Sequence, residues 1–284
     1  MKINIIALTM TTALITTSVY AKDHHPQVAN NVIEKQRTML ENNTVNKGYG
    51  PQSPRDLSVK QGSNTRIFGL APASTEMNLC NIHLHKNAEH KGGEFTQYAG
   101  NGDGTGYQTG FVYAGQLSQA ETKKITQKIC PNPHGGLSPG DTIEVHYVYS
   151  TAQAQPGKSL AACLAESTIN PQLRVETQVV VVVNDKSALD FGKLTKHGIK
   201  NDKHQAFNIP SDTGSAIQYT GSTTGPSYNE KGSPFQVTWS VRPNIAKVDI
   251  TTVGEWCKGN AFKEDHAHGV RNLVVNPKLL SEIK

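Results

Sequence analysis

Two histidines in an alternating segment are the first residues in this sequence that could do chemistry. Residues 81–85 read Asn-Ile-His-Leu-His, the polar–apolar alternation of a strand with one buried face. Asn81, His83 and His85 then share one face of the strand, where two imidazoles can bind a single metal ion. Most such pairs are ordinary surface histidines, so this pair alone does not establish a site.

A second alternating segment offers a third histidine. Residues 142–148 place Glu144, His146 and Val148 on one predicted face and apolar or aromatic residues on the other. A histidine within such a strand is either a hydrogen-bonded core residue or a metal ligand. Three neutral histidines that leave a fourth position to water form a catalytic type of zinc site. The metal-ligand alternative would give one Zn²⁺ per chain, bound by His83, His85 and His146.

The elements that must position these side chains are predominantly strands. A helix is predicted over residues 28–40, and long Gly-rich loops over 98–110 and 219–232. Five successive valines at 179–183 favour a strand buried on both faces. The pattern indicates one β-dominated domain. Its clearest predicted strands are residues 77–84, 110–117, 142–149, 173–184 and 235–241.

Composition and the N-terminus narrow the class of protein. The net charge is +5 and the basic residues are scattered, which predicts no nucleic-acid partner. Residues 1–21 combine Lys2, an apolar stretch and a small residue at Ala21, as in a cleaved secretory signal peptide. The mature chain would then be residues 22–284, periplasmic or secreted. No later apolar segment is long enough for a membrane anchor.

The four cysteines indicate an oxidising compartment. An even number of cysteines in an exported chain predicts disulfides, and four cysteines allow three pairings, among which the sequence does not choose. No two have the C-x-x-C spacing typical of a zinc site. The four are Cys80, Cys130, Cys163 and Cys257.

Five segments, in the same order as in the family, resemble the alpha-class carbonic anhydrases and, more closely, the delta class. They span residues 50–239, most of the predicted mature chain, and five in order are not expected by chance. Residues 50–54 resemble its Q-S-P motif, 81–90 its H-x-H…S-E-H signature, 144–146 its E-L-H segment, 219–226 its Y-P-G-S-L-T-T-P-P loop and 236–239 its V-T-W strand.

This resemblance implies a fold and a reaction. The fold would be mainly β (α+β), a single domain with a twisted, largely antiparallel central sheet and an N-terminal extension over residues 22–49. The reaction would be the reversible hydration of carbon dioxide to bicarbonate and a proton by a zinc-bound hydroxide. The zinc would lie at the floor of a conical cleft. The resemblance leaves a homodimer open.

The resemblance also implies roles for individual residues. Asn81 and Glu144 would accept hydrogen bonds from the ligand rings and so fix their tautomers. Thr224 would orient the hydroxide, and Glu89 would accept the threonine proton. An apolar pocket for carbon dioxide would be lined by Val148, Val237 and Trp239.

The loop and the proton path depart from the family pattern. Thr223 stands where the family has leucine, Thr220 where it has proline and Gly225 where it has a second threonine. A shift of one residue would give Thr223 the role of Thr224, although Thr224 aligns without a gap. The family's proton-shuttle histidine has no counterpart here. Four histidines with a suitable intrinsic pKa are candidates: His90, His134, His266 and His268.

Three other hypotheses remain open. His83-x-His85-x-x-x-Glu89 also matches the first metal motif of cupins, in which Glu89 and His146 would complete a site for a harder metal. That hypothesis leaves residues 52–54 and 219–226 unexplained, and the glycine spacing of the cupin motif is absent. A catalytically inactive relative would typically have lost zinc histidines. A zinc-buffering protein would carry exposed His/Asp-rich tracts, which only residues 264–268 suggest.

Overall fold

The computed structural model describes residues 26–168, 170–223 and 229–284. The predicted signal peptide, residues 1–21, and Thr224 lie outside these ranges. Within them, no helix combines the length and the apolar character that crossing a bilayer requires.

Strands dominate the described chain, with a few helices. The helices are α1 (Asn30–Thr44), α2 (Phe191–Leu194) and α3 (Ile250–Lys258). The strands are β1 (Asn78–Lys86), β2 (Gln97–Tyr98), β3 (Phe111–Val112), β4 (Thr142–Ser150), β5 (Leu173–Val183), β6 (His197–Lys200), β7 (Lys203–Ala206), β8 (Ile217–Ser222), β9 (Gln236–Val241) and β10 (Ala246–Asp249).

A six-stranded mixed sheet forms the centre of the fold. Its strand order is β1-β4-β5-β9-β8, and β10 also pairs with β5. The long strand β5 is parallel to β9 along its first half and to β10 along its second half. The neighbouring pairs β1–β4, β4–β5 and β8–β9 are antiparallel. The five valines of β5 are fully buried, as the sequence predicted for a central strand.

Each face of this sheet carries its own hydrophobic cluster. Alternation along β1 and β4 puts Ile82, Leu84, Val145 and Tyr147 into one cluster. The opposite face holds a second cluster, which includes Val148, Tyr219, Val237 and Trp239. Because successive side chains point to opposite faces, the histidines of β1 and β4 must share the face of the second cluster.

Two disulfides tie distant parts of the chain together. Cys80 bonds Cys163 across 83 residues, and Cys130 bonds Cys257 across 127 residues. Loops of this length restrict the unfolded chain strongly, which stabilises the folded state by about 2–4 kcal/mol per bond. Cys80 lies within β1, so the first disulfide also attaches the strand that carries His83 and His85 to the segment around Cys163.

The predicted strand over residues 110–117 is wrong beyond its start. Only Phe111 and Val112 pair, with β2. The next amide, that of Tyr113, donates to the Thr142 hydroxyl at 3.0 Å, and Ala114 donates to the Glu94 carbonyl at 2.8 Å. These bonds replace the ladder that a longer strand would need.

Several further elements were not predicted, among them β8 and α3. Residues 219–232 were predicted as a loop, but residues 219–222 belong to β8, where Tyr219 pairs with Trp239. Helix α3 begins at a cap in which the Asp249 side chain accepts from the Thr251 amide, and its buried Val253 and Trp256 face the core. The predicted helix over 28–40 is present as Asn30–Thr44.

Candidate metal centre

The antiparallel register of β1 and β4 brings the three histidines together. His83 lies directly opposite His146, and His85 lies two residues further along β1 on the same face. The ring centroids are 5.1 Å apart for His83 and His85, 5.0 Å for His83 and His146, and 4.7 Å for His85 and His146. One ring nitrogen of each histidine lies within 4.8 Å of the other two.

The other ring nitrogen of each histidine contacts a fixed hydrogen-bond acceptor. His83 Nδ1 donates to Asn81 Oδ1 at 2.6 Å, and His85 Nδ1 donates to the Gly269 carbonyl at 2.7 Å. His146 Nε2 donates to Glu144 Oε1 at 2.6 Å. Because these acceptors require N–H groups, the lone pairs remain on Nε2 of His83, Nε2 of His85 and Nδ1 of His146.

These lone pairs fit a metal ion. His146 Nδ1 and His83 Nε2 are 3.2 Å apart, and neither carries a proton to donate to the other in the tautomers just assigned. His85 Nε2 is buried and has no hydrogen-bond partner among the described residues. Nitrogens bound to tetrahedral zinc at 2.0–2.1 Å are about 3.3 Å from one another. The three nitrogens are therefore arranged to bind one shared cation, whereas in these tautomers they cannot hydrogen-bond to one another.

Burial keeps the first two ligand rings neutral. It lowers the pKa of His83 well below its usual range, with further lowering by the neighbouring histidines. Burial also lowers the pKa of His85 to about 4, against an opposing contribution from Glu89. Neutral imidazole is the form that binds metals, so these residues are prepared as ligands across the physiological range.

Glu144 connects His146 to a second buried histidine. Its Oε1 also accepts from His90 Nδ1 at 2.8 Å, and its Oε2 accepts from the His90 amide at 3.2 Å. Burial opposes ionisation, but His90 and His146 outweigh it and hold the pKa of the Glu144 carboxyl well below its usual range. His90 Nε2 in turn accepts from the Tyr219 hydroxyl at 2.8 Å. Burial raises the pKa of Tyr219 well above its usual range, so the phenol keeps that proton.

Glu89 lies behind His85 and away from the convergent nitrogens. Its Oε1 accepts from the Arg271 amide at 3.0 Å and lies 3.9 Å from His85 Nδ1, the nitrogen that is bonded to Gly269. The carboxylate is buried, with 1% of its side chain exposed. This position is unlike that of a fourth ligand, which the cupin hypothesis requires.

The two threonines that compete for one role are only partly described. Thr224 lies outside the described residues. Thr223 is buried, and its hydroxyl forms a hydrogen bond with Ser233 Oγ. Its amide donates to the Phe235 carbonyl at 3.0 Å. These contacts hold the Thr223 side chain within the loop.

The predicted pocket residues lie on the histidine side of the sheet. The Trp239 ring centroid is 5.1 Å from that of His146 and 5.0 Å from that of His90. Its Nε1 donates to the Ser222 carbonyl at 3.1 Å, which fixes the indole. Val148 and Val237 belong to the same buried cluster as Trp239. The structure thus places these buried apolar side chains on the same face of the sheet as the three histidines.

The four proton-shuttle candidates occupy different places. His90 is fully buried in the network of Glu144 and Tyr219. His134 stacks on Tyr107 with its ring centroid 3.5 Å away. His268 lies 5.8 Å from His83 and 5.9 Å from His85 between ring centroids, and its Nε2 bonds Glu264 Oε2 at 2.6 Å. His266 lies 4.9 Å beyond His268.

Two partners of the site were not predicted from the sequence. The Gly269 carbonyl is a backbone group 184 residues after His85, and no side-chain pattern marks it. Glu264 bonds His268 four residues later. From the sequence, residues 264–268 were considered only as a His/Asp-rich tract and as a source of shuttle candidates.

A family model described as Delta carbonic anhydrase matches residues 74–252, well over half of the chain. The chain therefore belongs to the delta carbonic anhydrase family, and it is a carbonic anhydrase. All three histidines lie within the matched range. This result and the position of Glu89 set the cupin hypothesis aside.

Comparison with solved structures finds carbonic anhydrases at low identity. An alpha-carbonic anhydrase from Photobacterium profundum is 16% identical, with 80% of this chain and 88% of that one covered and a TM-score of 0.27. A hyperthermostable carbonic anhydrase from an active hydrothermal vent chimney is 13% identical, with 81% and 87% covered and a TM-score of 0.31. An alpha-carbonic anhydrase from Thermovibrio ammonificans, solved with the inhibitor sulfanilamide, is 14% identical, with 78% and 84% covered and a TM-score of 0.26. No curated protein matches the chain.

We expect His146→Ala to abolish zinc binding, because it removes one of the three convergent lone pairs. It also removes the ring N–H that donates a hydrogen bond to Glu144. Elemental analysis of dialysed protein should show zinc falling from one ion per chain to a small fraction. His134→Ala is the matched control, since His134 is half-exposed and stacks on Tyr107 outside the site. A natively folded His146→Ala variant that keeps its full zinc content would contradict this assignment.

Proposed function

We propose that the protein catalyses the zinc-dependent, reversible hydration of carbon dioxide, with the metal held by His83, His85 and His146. The observation that carries this proposal is the set of three convergent, unprotonated ring nitrogens whose opposite nitrogens are bound to fixed acceptors. Membership of the delta carbonic anhydrase family supports the reaction class. In carbonic anhydrases generally, zinc supplies a coordinated water molecule with a pKa near 7.

The protein's own contribution begins with rigid ligands. Asn81, Gly269 and Glu144 fix the tautomer and the ring orientation of the three histidines, and such partners raise ligand basicity and metal affinity. The negative charge of Glu144 lies next to His146 and makes the Nδ1 lone pair of this ring a stronger electron-pair donor to a metal ion. His90 and Tyr219 complete the hydrogen bonds of that buried carboxylate, so its charge is retained.

The apolar wall is suited to an apolar substrate. Carbon dioxide has no net charge or dipole, so a surface made of Trp239, Val148 and Val237 can hold it without competing for the hydrogen bonds of water. The nearness of Trp239 to His146 puts this surface beside the metal ligands. We propose that this cluster forms the floor of the substrate pocket.

We assign the orienting hydroxyl to Thr224 and its proton acceptor to Glu89. The Arg271 amide holds Glu89 Oε1, which fixes the carboxylate close to the metal ligands. Thr223 is less suited, because its hydroxyl is already bonded to Ser233 inside the loop. In this arrangement Glu89 accepts the Thr224 proton, and the Thr224 oxygen is left to accept a hydrogen bond from the attacking nucleophile and hold its lone pair toward the substrate.

We also propose that the protein is exported. Two disulfides are consistent with an oxidising compartment, the periplasm or the exterior. Residues 1–21 would be removed as a signal peptide during export.

The reaction is tested by stopped-flow hydration of carbon dioxide with a pH indicator. The zinc-loaded protein should accelerate hydration far above the buffer rate, and a chelator that strips the metal should abolish the acceleration. Re-adding zinc should restore it. A folded, zinc-loaded protein that does not accelerate hydration would contradict the proposed function.

Thr224→Ala should keep zinc but lower kcat by about 10²-fold, the usual cost of losing one hydrogen-bonding group that acts in the transition state. Thr223→Ser is the control, because it keeps the hydroxyl that bonds Ser233. The same stopped-flow assay measures both variants, and elemental analysis checks their zinc. If Thr224→Ala has a normal rate and Thr223→Ala does not, the role belongs to Thr223.

A further inference from the structure

A cavity of about 260 Å³ lies under helix α1, away from the three histidines. One wall is a single face of α1, formed by Asn30, Ile33, Glu34 and Arg37 at helical spacing. The other walls come from residues 98–111 and from residues 271–273. The family match covers residues 74–252, so both α1 and residues 271–273 lie outside the matched range.

The cavity carries an excess of positive charge. The two arginines that line it, Arg37 and Arg271, outnumber its single carboxylate, that of Glu34. Arg271 is 1% exposed, and its guanidinium is held by bonds from Nη1 to the Ser53 carbonyl at 2.7 Å and from Nη2 to the Lys231 carbonyl at 3.0 Å.

Arg37 has a donor that the described protein does not satisfy. Its Nε atom is buried and has no hydrogen-bond partner among the described residues. A buried N–H without an acceptor is costly. Because Arg37 lines the cavity, a turn of its guanidinium toward a bound acceptor would remove that cost. The guanidinium is planar and suits a planar carboxylate, to which it can donate two parallel hydrogen bonds.

Part of the remaining surface of the cavity is apolar, beside polar side chains such as those of Asn101, Thr109 and Asn272. Ile33 is buried at 4% exposure and Phe111 at 7%, and Leu273 is a third lining residue. A ligand that satisfies both parts of the cavity has one carboxylate and a small apolar body. Bicarbonate would supply the carboxylate but would leave the apolar wall without a partner.

We propose that this cavity binds a small organic carboxylate, with the carboxylate on Arg37 and the apolar body against Ile33, Phe111 and Leu273. The volume is slightly below the range of about 300–1,000 Å³ typical of drug-sized ligands, as expected for a ligand of roughly ten heavy atoms. The ligand would join α1 to the segment of Arg271, whose amide holds Glu89. None of the residues that line this cavity is a proposed metal ligand, so binding there can be tested separately from the proposed function.

The test is a ¹⁹F NMR titration of 4-fluorobenzoate into the zinc-loaded protein, with a sulfonamide present to occupy the metal. A second titration uses chelator-treated protein, so the result does not depend on the metal or on hydration activity. We expect saturable binding in both. Arg37→Met should weaken it at least tenfold, whereas Arg37→Lys, which keeps the charge, should weaken it less.

Lys35→Met is the matched control, since it removes one exposed positive charge from α1 outside the cavity. Its binding should equal that of the unchanged protein, and circular dichroism should show native folding for every variant. The proposal is overturned by equal binding in Arg37→Met and Lys35→Met, by no saturable binding, or by competition from bicarbonate at concentrations equal to those of fluorobenzoate.

Discussion

The pairing of His83 with His146 across β1 and β4 is the constraint on which the rest of the site depends. This register sets two ring nitrogens 3.2 Å apart, and the alternation of β1 adds His85 on the same face. A slip of one residue would turn the histidines of one strand into the opposite core, where Ile82 and Val145 now pack. Each hydrophobic cluster buries one face of the sheet, and together they fix the register of β1 against β4. This register sets the relative positions of the three histidines.

A buried negative charge is the second requirement of the site. Glu144 is fully buried, and an isolated carboxylate there would be neutralised by protonation. Hydrogen bonds from His146 and His90 keep the Glu144 carboxylate ionised, and the Tyr219 hydroxyl donates to the second ring nitrogen of His90. Tyr219 lies in β8, and Trp239 lies opposite it in β9. Through His90 and Glu144, these distant strands therefore help to fix the hydrogen bonding of His146 on β4.

The sequence predicted the parts of the site that depend on local alternation. The faces of β1 and β4, and hence the grouping of Asn81 with His83 and of Glu144 with His146, follow from period-two patterning and are present in the structure. Contacts between distant segments could not be predicted this way. The Gly269 carbonyl has no side-chain signal, and the disulfide pairing was open among three choices until the fold brought Cys80 to Cys163. The strand predicted over residues 110–117 was too long because the Tyr113 amide donates to Thr142 instead of to a neighbouring strand. Helix α3 was missed because its start is decided by the cap in which Asp249 accepts from the Thr251 amide.

The most direct test of the central claim is zinc K-edge X-ray absorption on the purified, zinc-loaded protein. The three tautomers defined by Asn81, Gly269 and Glu144 predict three imidazole nitrogens at about 2.0–2.1 Å and one further light ligand, in a four-coordinate site. The same spectrum should be unchanged in Glu89→Gln, since Glu89 is not a ligand. A sulfur ligand, fewer than three imidazoles, or a carboxylate signal that disappears in Glu89→Gln would contradict the account.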